Sequence, residues 1–423
     1  MKNSKPKAGD KVKIITDKEE FEGILMPRPE LLEKGYTVVK LDNGYNIGIK
    51  DKKIKQIKLL KKYTQKKSAS KKLPIKKGLP TVSVISLGGT ISSKIDYRTG
   101  GVYADYTAED FVAMMPELAE VANLKAKKVM NIMSEDLTGK DYTKIAKIIE
   151  DELKQTDGVV VTQGTDTLHF STAAMSFMLN NLNKPVVFTA AQRSIDRGSS
   201  DAFMNLICAV NVAAQSDIAE VVTCLHGTTN DDYCIINKGA KVRKMHTSRR
   251  DAFRPVNDLP IAKVYADGKI EIVNKEYNKR SKKTINLKNK FEEDAGLIFT
   301  YPGIKPEVID YYKNYKGLVI AATGLGNIPA NLFPKIEKLK IPVVIAPQTI
   351  YGRVHPLVYA HLRELSIKLK CIFAEDMTPE TAYIKLGWVL AQTTDPKKVK
   401  ELMLTNITGE ITERSLDKSF LYW

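Results

Sequence analysis

Two patterns of hydrophobic and polar positions divide the chain near residue 80. Before it, short runs such as Lys11-Val12-Lys13-Ile14 alternate polar and apolar positions, and Asp42-Asn43-Gly44 has the composition of a hairpin turn. Alternation with a period of two is typical of strands that bury one face. Four or five such strands in so short a segment predict a small all-β barrel at residues 1–60.

From residue 81 onward, apolar runs alternate with helical patterns. The runs 82–87 and 158–162 are β-branched and uniformly apolar, which is typical of parallel strands buried on both faces. Apolar residues between Tyr142 and Leu153 recur at helical spacing, and Thr107-Ala108-Glu109-Asp110 resembles a helix start. A strand, crossover helix and strand form a parallel pair. The same reasoning predicts strands near 186–190, 220–225, 297–299, 318–322 and 343–346, and a helix at 378–392.

These patterns predict an α/β body with a doubly wound parallel sheet in two domains, preceded by the small all-β barrel. Residues 61–79 contain eight lysines and no acid, so we interpret them as a basic linker. The polar, lysine-rich stretch 275–290 is the expected boundary within the body. The predicted domains are residues 1–60, the linker 61–79, and the two α/β domains 80–280 and 281–423.

Positive charge is concentrated at the front of the chain. Residues 1–80 hold 22 Lys and Arg but only 9 Asp and Glu, against a formal charge of +17 for all 423 residues. This distribution indicates either a polyanionic partner for the front module or a lysine-rich surface that only contacts solvent.

Several classes of protein lack their signatures here. The four cysteines have no CxxC spacing, and the histidines lack metal-ligand spacing, so we expect neither a disulfide framework nor a metal site. No apolar stretch of ~20 residues is present, and the N-terminus lacks an apolar signal core, so we expect a cytoplasmic protein without a membrane segment. The sequence has no Gly-x-Gly-x-x-Gly motif after a strand and no Gly-x-x-x-x-Gly-Lys-Ser/Thr motif, which are the glycine-rich nucleotide-binding motifs. No cofactor is therefore predicted for this chain itself.

The candidate chemistry lies in two segments that each follow a predicted strand, Leu87-Gly88-Gly89-Thr90-Ile91 and Thr162-Gln163-Gly164-Thr165-Asp166-Thr167. Ligands of parallel sheets bind beyond the carboxyl ends of strands, so both segments point to one site. A threonine hydroxyl becomes a nucleophile when a base takes its proton, and amides of a glycine loop can stabilise the resulting oxyanion. Each segment alone also fits an ordinary turn.

The two segments resemble the signatures of the bacterial-type asparaginases, which hydrolyse a side-chain amide through a threonine nucleophile. The resemblance extends over residues 81–423 and includes Thr189-Ala190-Ala191-Gln192-Arg193-Ser194 and Gly324-Leu325-Gly326-Asn327-Ile328-Pro329. With a small domain in front, the chain is similar to the D subunits of archaeal glutamyl-tRNA(Gln) amidotransferases.

This resemblance implies a role for each matching residue. Thr90 would be the nucleophile, and Thr165, Asp166 and Lys244 would activate it; the match at Lys244 depends on the Thr247, Ala252 and Phe253 that follow. As a lone residue, Lys244 equally fits a surface charge. The implied substrate-binding residues are Ser134, Glu135, Gly89, Gly164 and a loop tyrosine, for which Tyr103 is preferred to Tyr97.

The resemblance also implies a reaction and partners. Glutamine would be hydrolysed to glutamate and ammonia, and the ammonia would convert Glu-tRNA(Gln) to Gln-tRNA(Gln). A partner similar to the E subunit would bind the tRNA, and the assembled enzyme would use ATP and Mg²⁺. The chain would be a homodimer within a heterotetramer.

Two alternatives stay open at this stage. The body alone also fits a stand-alone cytoplasmic L-asparaginase, and the basic front also fits a catalytically weak RNA-binding scaffold. The motifs do not decide between asparagine and glutamine, and the front module could contact either tRNA or the partner protein.

Overall fold

The computed structural model describes residues 5–26, 35–42, 46–63, 75–89, 91, 93–95, 102–104, 115–195 and 199–421. The chain divides into two compact units. The first comprises residues 1–72 and 93–106, and the second comprises residues 73–92 and 107–423.

The first unit contains a five-stranded antiparallel sheet. Its strands are β1 (Lys11–Thr16), β2 (Glu20–Leu25), β3 (Tyr36–Leu41), β4 (Asn46–Lys50) and β5 (Ile54–Lys61), in the order β4-β3-β2-β1-β5. Alternate residues of these strands, Val12, Ile14, Val39 and Ile49, form its small core. The predicted front β module is therefore confirmed, with five strands.

The second unit is built on an eight-stranded sheet with the order β18-β17-β14-β13-β12-β10-β6-β9. The neighbouring strands β9, β6, β10, β12 and β13 run parallel to one another. Strands β14, β17 and β18 extend this sheet in antiparallel pairs. The strands predicted near 82, 158, 186 and 220 are confirmed, whereas the antiparallel extension was not predicted. The eight are β6 (Thr81–Ser86), β9 (Asn123–Lys128), β10 (Gly158–Thr162), β12 (Val186–Thr189), β13 (Val221–His226), β14 (Cys234–Lys238), β17 (Ala262–Val264) and β18 (Ile270–Ile272).

A four-stranded, all-parallel sheet follows in the order β20-β21-β22-β23. Its strands are β20 (Ala295–Phe299), β21 (Gly317–Ala322), β22 (Val343–Pro347) and β23 (Ile372–Phe373), which confirms the three strands predicted in this region. The described residues also contain three short antiparallel strand pairs: β7 (Ser93–Ile95) with β8 (Val102–Ala104), β11 (Leu179–Asn180) with β19 (Asn286–Leu287), and β15 (Val242–Lys244) with β16 (Phe253–Pro255).

The helices cover the sheets and place their apolar faces in the core. Helix α2 shows why they form: Thr138 and Asp141 make a capping box, and the buried face repeats Tyr142, Ile145 and Ile149. That helix was predicted, whereas the predicted start at Thr107 lies outside the described residues. The helices are α1 (Leu118–Val121), α2 (Gly139–Leu153), α3 (Leu168–Met178), α4 (Ala202–Gln215), α5 (Phe333–Lys338), α6 (Ala360–Arg363), α7 (Pro379–Leu390) and α8 (Pro396–Leu404).

Segments of tighter or wider helix also occur. The 3₁₀ segments are Asp51–Lys53, Ser134–Asp136, Pro306–Asn314, Ala330–Leu332 and Asp417–Ser419, and Glu364–Lys368 is a π-helix.

Helices α3 and α7 join the two sheets of the second unit in one core. Phe177 of α3 stacks on Trp388 of α7 with ring centroids 5.8 Å apart, and both side chains are buried. Offset aromatic pairs of this kind contribute beyond their buried area. In the first turn of α7, the hydroxyl of Thr381 donates to the carbonyl of Ala240 at 3.1 Å, which holds this turn near β15.

Candidate active site

The two glycine-threonine segments leave the sheet at neighbouring strand ends. Strands β6 and β10 are parallel partners, and the amide of Leu87 donates to the carbonyl of Thr162 at 3.0 Å. The next amide along, that of Gln163, donates to Thr189 at the end of β12. The segments therefore lie side by side at one sheet edge, as the sequence predicts.

The two segments also touch through their glycines. A Cβ at Gly89 would lie 2.2 Å from the backbone nitrogen of Gly164, and Gly89 has φ +81°. A Cβ at Gly164 would in turn lie 2.9 Å from the side chain of Ser134. Any side chain at either position would overlap its neighbour, so glycine is required by the close approach of the chains.

Lys244 reaches this edge from the end of β15. Its Nζ lies 2.9 Å from Thr165 Oγ1 and 2.5 Å from Asp166 Oδ1. The Lys244 side chain is only 8% exposed and Thr165 is buried, whereas the Asp166 side chain is 66% exposed. A buried amine within hydrogen-bond reach of a hydroxyl can exchange a proton with it, while the carboxylate can hold a cationic group from solvent.

Ser134 and Glu135 form the adjacent wall. They begin the 3₁₀ turn Ser134–Asp136, and Ser134 is buried with its Oγ 3.4 Å from Glu135 Oε2. The hydroxyl of Thr167 donates to the carbonyl of Ser134 at 2.5 Å. Thr167 thus holds this turn against the Thr165 segment, a role that the sequence did not assign to it.

A cleft of about 300 Å³ opens beside Lys244 and contains a buried imidazole that the sequence analysis did not place there. Its lining includes Asp166, His169, Lys244 and His246. Burial lowers the pKa of His169 to about 4; Glu380 opposes this, and Arg243 and Lys244 add to it. His169 is therefore neutral near pH 7. It is the second residue of helix α3, which begins directly after the Thr165 segment, and this closeness in sequence is the signal that could have identified it.

Arg243 is paired with an acid of helix α7 rather than with the site itself. Its Nε donates to Glu380 Oε1 at 2.8 Å, and Glu380 is buried. The ion pair with Glu380 therefore balances the charge of Arg243. Glu380 is a further neighbour of the site that the sequence does not reveal.

The predicted nucleophile and loop tyrosine stay predictions. Thr90 and Tyr97 lie outside the described residues. Tyr103 lies in β8, where its backbone is paired with Lys94. The described part of the site consists of Gly89, Ser134, Glu135, Gly164, Thr165, Asp166 and Lys244.

The described residues contain neither a metal-binding cluster nor a membrane-crossing helix. Within those ranges, no group of three or more His, Cys, Asp and Glu is placed to hold a metal ion. No helix in the same ranges has the length and apolar character needed to cross a membrane.

Family models match three stretches of the chain. Residues 7–60 match the GatD N-terminal domain, residues 81–278 match the N-terminal asparaginase domain, and residues 295–403 match the glutaminase/asparaginase C-terminal domain. Among solved structures, the thermostable L-asparaginase from Thermococcus kodakarensis is 28% identical with a TM-score of 0.71, covering 79% of this chain and 100% of its own. L-asparaginase I from Vibrio cholerae is 27% identical with a TM-score of 0.69, covering 79% and 99%.

Curated relatives extend the similarity to the full chain. The D subunit of the glutamyl-tRNA(Gln) amidotransferase of Pyrococcus furiosus is 48% identical, covering 100% of this chain and 98% of its own. That of Methanobrevibacter smithii is 46% identical over the same shares. Full-length identity at this level, with all three domain matches, shows that the chain belongs to the family of glutamyl-tRNA(Gln) amidotransferase D subunits, whose body has the asparaginase fold.

Proposed function

We propose that this chain hydrolyses the side-chain amide of glutamine and supplies the ammonia to a tRNA-bound glutamyl group. The observation that carries the proposal is the contact of Lys244 Nζ with both Thr165 Oγ1 and Asp166 Oδ1, at 2.9 and 2.5 Å. A buried amine, a hydroxyl and a carboxylate in this arrangement form a proton relay beside the segment that contains Thr90.

In the proposed reaction, the Thr90 hydroxyl attacks the amide carbon of glutamine. Its proton passes through Thr165 and Lys244 to the leaving nitrogen, the C–N bond breaks, and ammonia leaves. Water then hydrolyses the threonine ester, which releases glutamate and restores the hydroxyl. Backbone amides near Gly89 would stabilise the oxyanion, and Asp166 and Glu135 would hold the substrate ammonium.

The relatives support the proposed destination of the ammonia. Proteins named as D subunits of glutamyl-tRNA(Gln) amidotransferases match the chain over its whole length. We infer an E-subunit partner, Glu-tRNA(Gln) as the acceptor, and a homodimer within a heterotetramer. ATP and Mg²⁺ would activate the glutamyl group in the assembled enzyme.

A coupled assay tests this function. The chain, its co-purified partner, ATP, Mg²⁺, Glu-tRNA(Gln) and glutamine labelled in the side-chain amide should give labelled Gln-tRNA(Gln). Glutamate release should be slow for the chain alone and rise sharply with the partner and charged tRNA. Thr90→Ala should abolish the release, while free ammonium should still support amidation.

A stand-alone asparaginase is the second candidate, because the solved L-asparaginases share the fold of the body. Those structures cover 79% of this chain, and a stand-alone asparaginase would give the front module no function. If the isolated chain hydrolyses asparagine rapidly and neither partner nor tRNA changes its rate, the second candidate replaces the first.

A further inference from the structure

A second pocket, of about 350 Å³, lies beside Ser134 and Thr167. Gly89, Gly164, Thr165 and Lys244 are not part of its wall. Its volume lies within the usual range of small-molecule sites. The pocket shares Ser134 and Glu135 with the proposed amide site but does not include Lys244, and its volume has room for a further small ligand.

Four aromatic side chains from four different segments line this pocket. Tyr142 comes from α2, Phe170 from α3 and Tyr383 from α7, and Phe291 comes from the segment before β20. Neighbouring rings are steeply inclined, at 77° for Tyr142 and Phe291, 66° for Phe291 and Tyr383, and 76° for Phe170 and Tyr383. These rings pack against one another in edge contacts and together line the pocket.

The position of Phe291 is fixed by its fit against helix α7. A Cβ at Gly387 would lie 2.4 Å from Phe291 Cζ, so the ring rests directly on the helix backbone. The ring edges also contact Tyr142 and Tyr383. The aromatic wall is therefore held in place by packing before any ligand enters.

The charged side chains that line the pocket are acidic. Glu135 and Glu293 line it, and both are exposed. Within the described residues, Lys140 contacts Glu293 twice: its backbone amide donates to Glu293 Oε1 at 3.3 Å, and its Nζ lies 3.9 Å from Oε2. The Lys140 side chain is 88% exposed, so its ammonium neutralises little of the charge. Burial, and to a smaller extent the Glu293 carboxylate, raises the pKa of Tyr383, so the carboxylate is felt at the ring.

We propose that this aromatic and acidic pocket binds an organic cation, an ammonium or guanidinium group with attached carbon. Aromatic ring faces are electronegative and attract cations, most strongly where water is excluded. Two carboxylates at the same pocket add to the attraction and disfavour anions. Such a cation is either a free small molecule or a Lys or Arg side chain of another protein.

The test uses choline and its neutral analogue 3,3-dimethyl-1-butanol, in which carbon replaces the charged nitrogen. Binding to the full chain is measured by calorimetry or ligand-observed NMR without any amide substrate, so the result is independent of the proposed hydrolysis. Choline should bind at least about five-fold more tightly than the alcohol. Equal affinity for the two probes, or no choline binding, overturns the proposal.

Variants locate the binding. Glu293→Gln and Tyr383→Leu should each weaken choline binding at least about three-fold. The matched controls are Glu337→Gln, whose carboxylate is 3.8 Å from Lys368, and Tyr311→Leu, which removes an exposed tyrosine. Neither control should change the affinity. Glu293 is exposed, so its variant gives an answer even if Tyr383→Leu fails to fold, and unchanged affinity in Glu293→Gln contradicts the proposed site.

A final arm distinguishes the two sources of the cation. Choline binding is repeated with the co-purified partner protein present. Loss of binding in the complex identifies a partner side chain as the occupant, and retained binding identifies a free molecule. Both results support cation recognition by this pocket.

Discussion

Two lysine–carboxylate pairs of equal length occupy contrasting regions of the second unit. Lys244 and Asp166 lie 2.5 Å apart at the sheet edge, and Lys385 and Glu410 lie 2.5 Å apart in the core. The first pair is open, since Asp166 is 66% exposed, whereas both side chains of the second are fully buried. Distance alone therefore does not separate a reactive pair from a structural one.

Their hydrogen-bond partners differ as well. Lys385 Nζ donates to Glu410 and to the carbonyls of Met403 and Thr405, which occupies all three of its donors. Lys244 Nζ contacts one carboxylate and one hydroxyl. A hydroxyl can both accept and donate a proton, but a carbonyl only accepts. The open pair of Lys244 and Asp166 can therefore take part in proton transfer, while the buried pair of Lys385 and Glu410 has a structural role.

Lys244→Met breaks the open pair. Of the variants considered, it should have the largest effect, and that effect should be on activity. We expect kcat/KM for amide hydrolysis to fall roughly 10²–10⁴-fold, because proton transfer through Thr165 is lost. The free energy of unfolding should change by about 1 kcal/mol or less. Lys279→Met, which removes an exposed lysine paired with Asp217, is the control. Near-normal activity in Lys244→Met would remove this lysine from the mechanism.

Lys385→Met should have the opposite outcome. It leaves the buried Glu410 charge without a cation, so the free energy of unfolding should fall by about 3–5 kcal/mol. Activity per folded molecule should be retained. Denaturant unfolding measures the loss, and adding Glu410→Gln should recover part of it by removing the stranded charge. A loss below about 1 kcal/mol in the single variant would contradict the contrast between the pairs.

The pH dependence of stability reports the burial of His169, which lies beside Lys244. Its folded-state pKa of about 4 lies below the ordinary value of 6.5, so the unfolded chain binds this proton more tightly. Its contribution to stability is complete above pH 6.5 and is lost as the pH falls toward 4, by about 3 kcal/mol. When the free energy of unfolding is plotted against pH, the curves of the wild type and of His169→Gln should diverge between pH 6.5 and pH 4. Parallel curves would mean that the fold leaves the pKa of His169 at its ordinary value.

Asp166→Asn should have the smallest effect on stability. Since the carboxylate is largely exposed, the free energy of unfolding should change by about 1 kcal/mol or less, and the change should shrink as added salt screens the pair. Glu410→Gln, measured alongside, should cost several times more because it unpairs the buried Lys385. Similar losses in the two variants would show that exposure does not distinguish these pairs.

The sequence predicts the parallel strands well because burial on both faces makes them uniformly apolar, as in Gly158–Thr162. It does not predict β17 and β18, which have three residues each and are too short to show a periodic pattern. Such strands form because neighbouring strands offer them hydrogen bonds. Their existence is a property of the assembled sheet.

The candidate site is predicted unevenly for a similar reason. Thr165 and Asp166 stand in a recognisable segment, but Lys244 is 79 residues from Thr165, and only the family resemblance singled it out. Lys385 shows the converse, since a lysine on a helix is ordinarily expected at the surface. Its burial depends on Glu410, which arrives from beyond the next helix.

The contact between Gly89 and Gly164 limits how this site can be redesigned. An added atom at Gly89 would displace the backbone of Gly164, and an added atom at Gly164 would displace Ser134. A mutant library intended to change amide preference should therefore hold both glycines constant. Diversity is better tolerated at an exposed neighbour such as Met245, where a new side chain can extend into solvent.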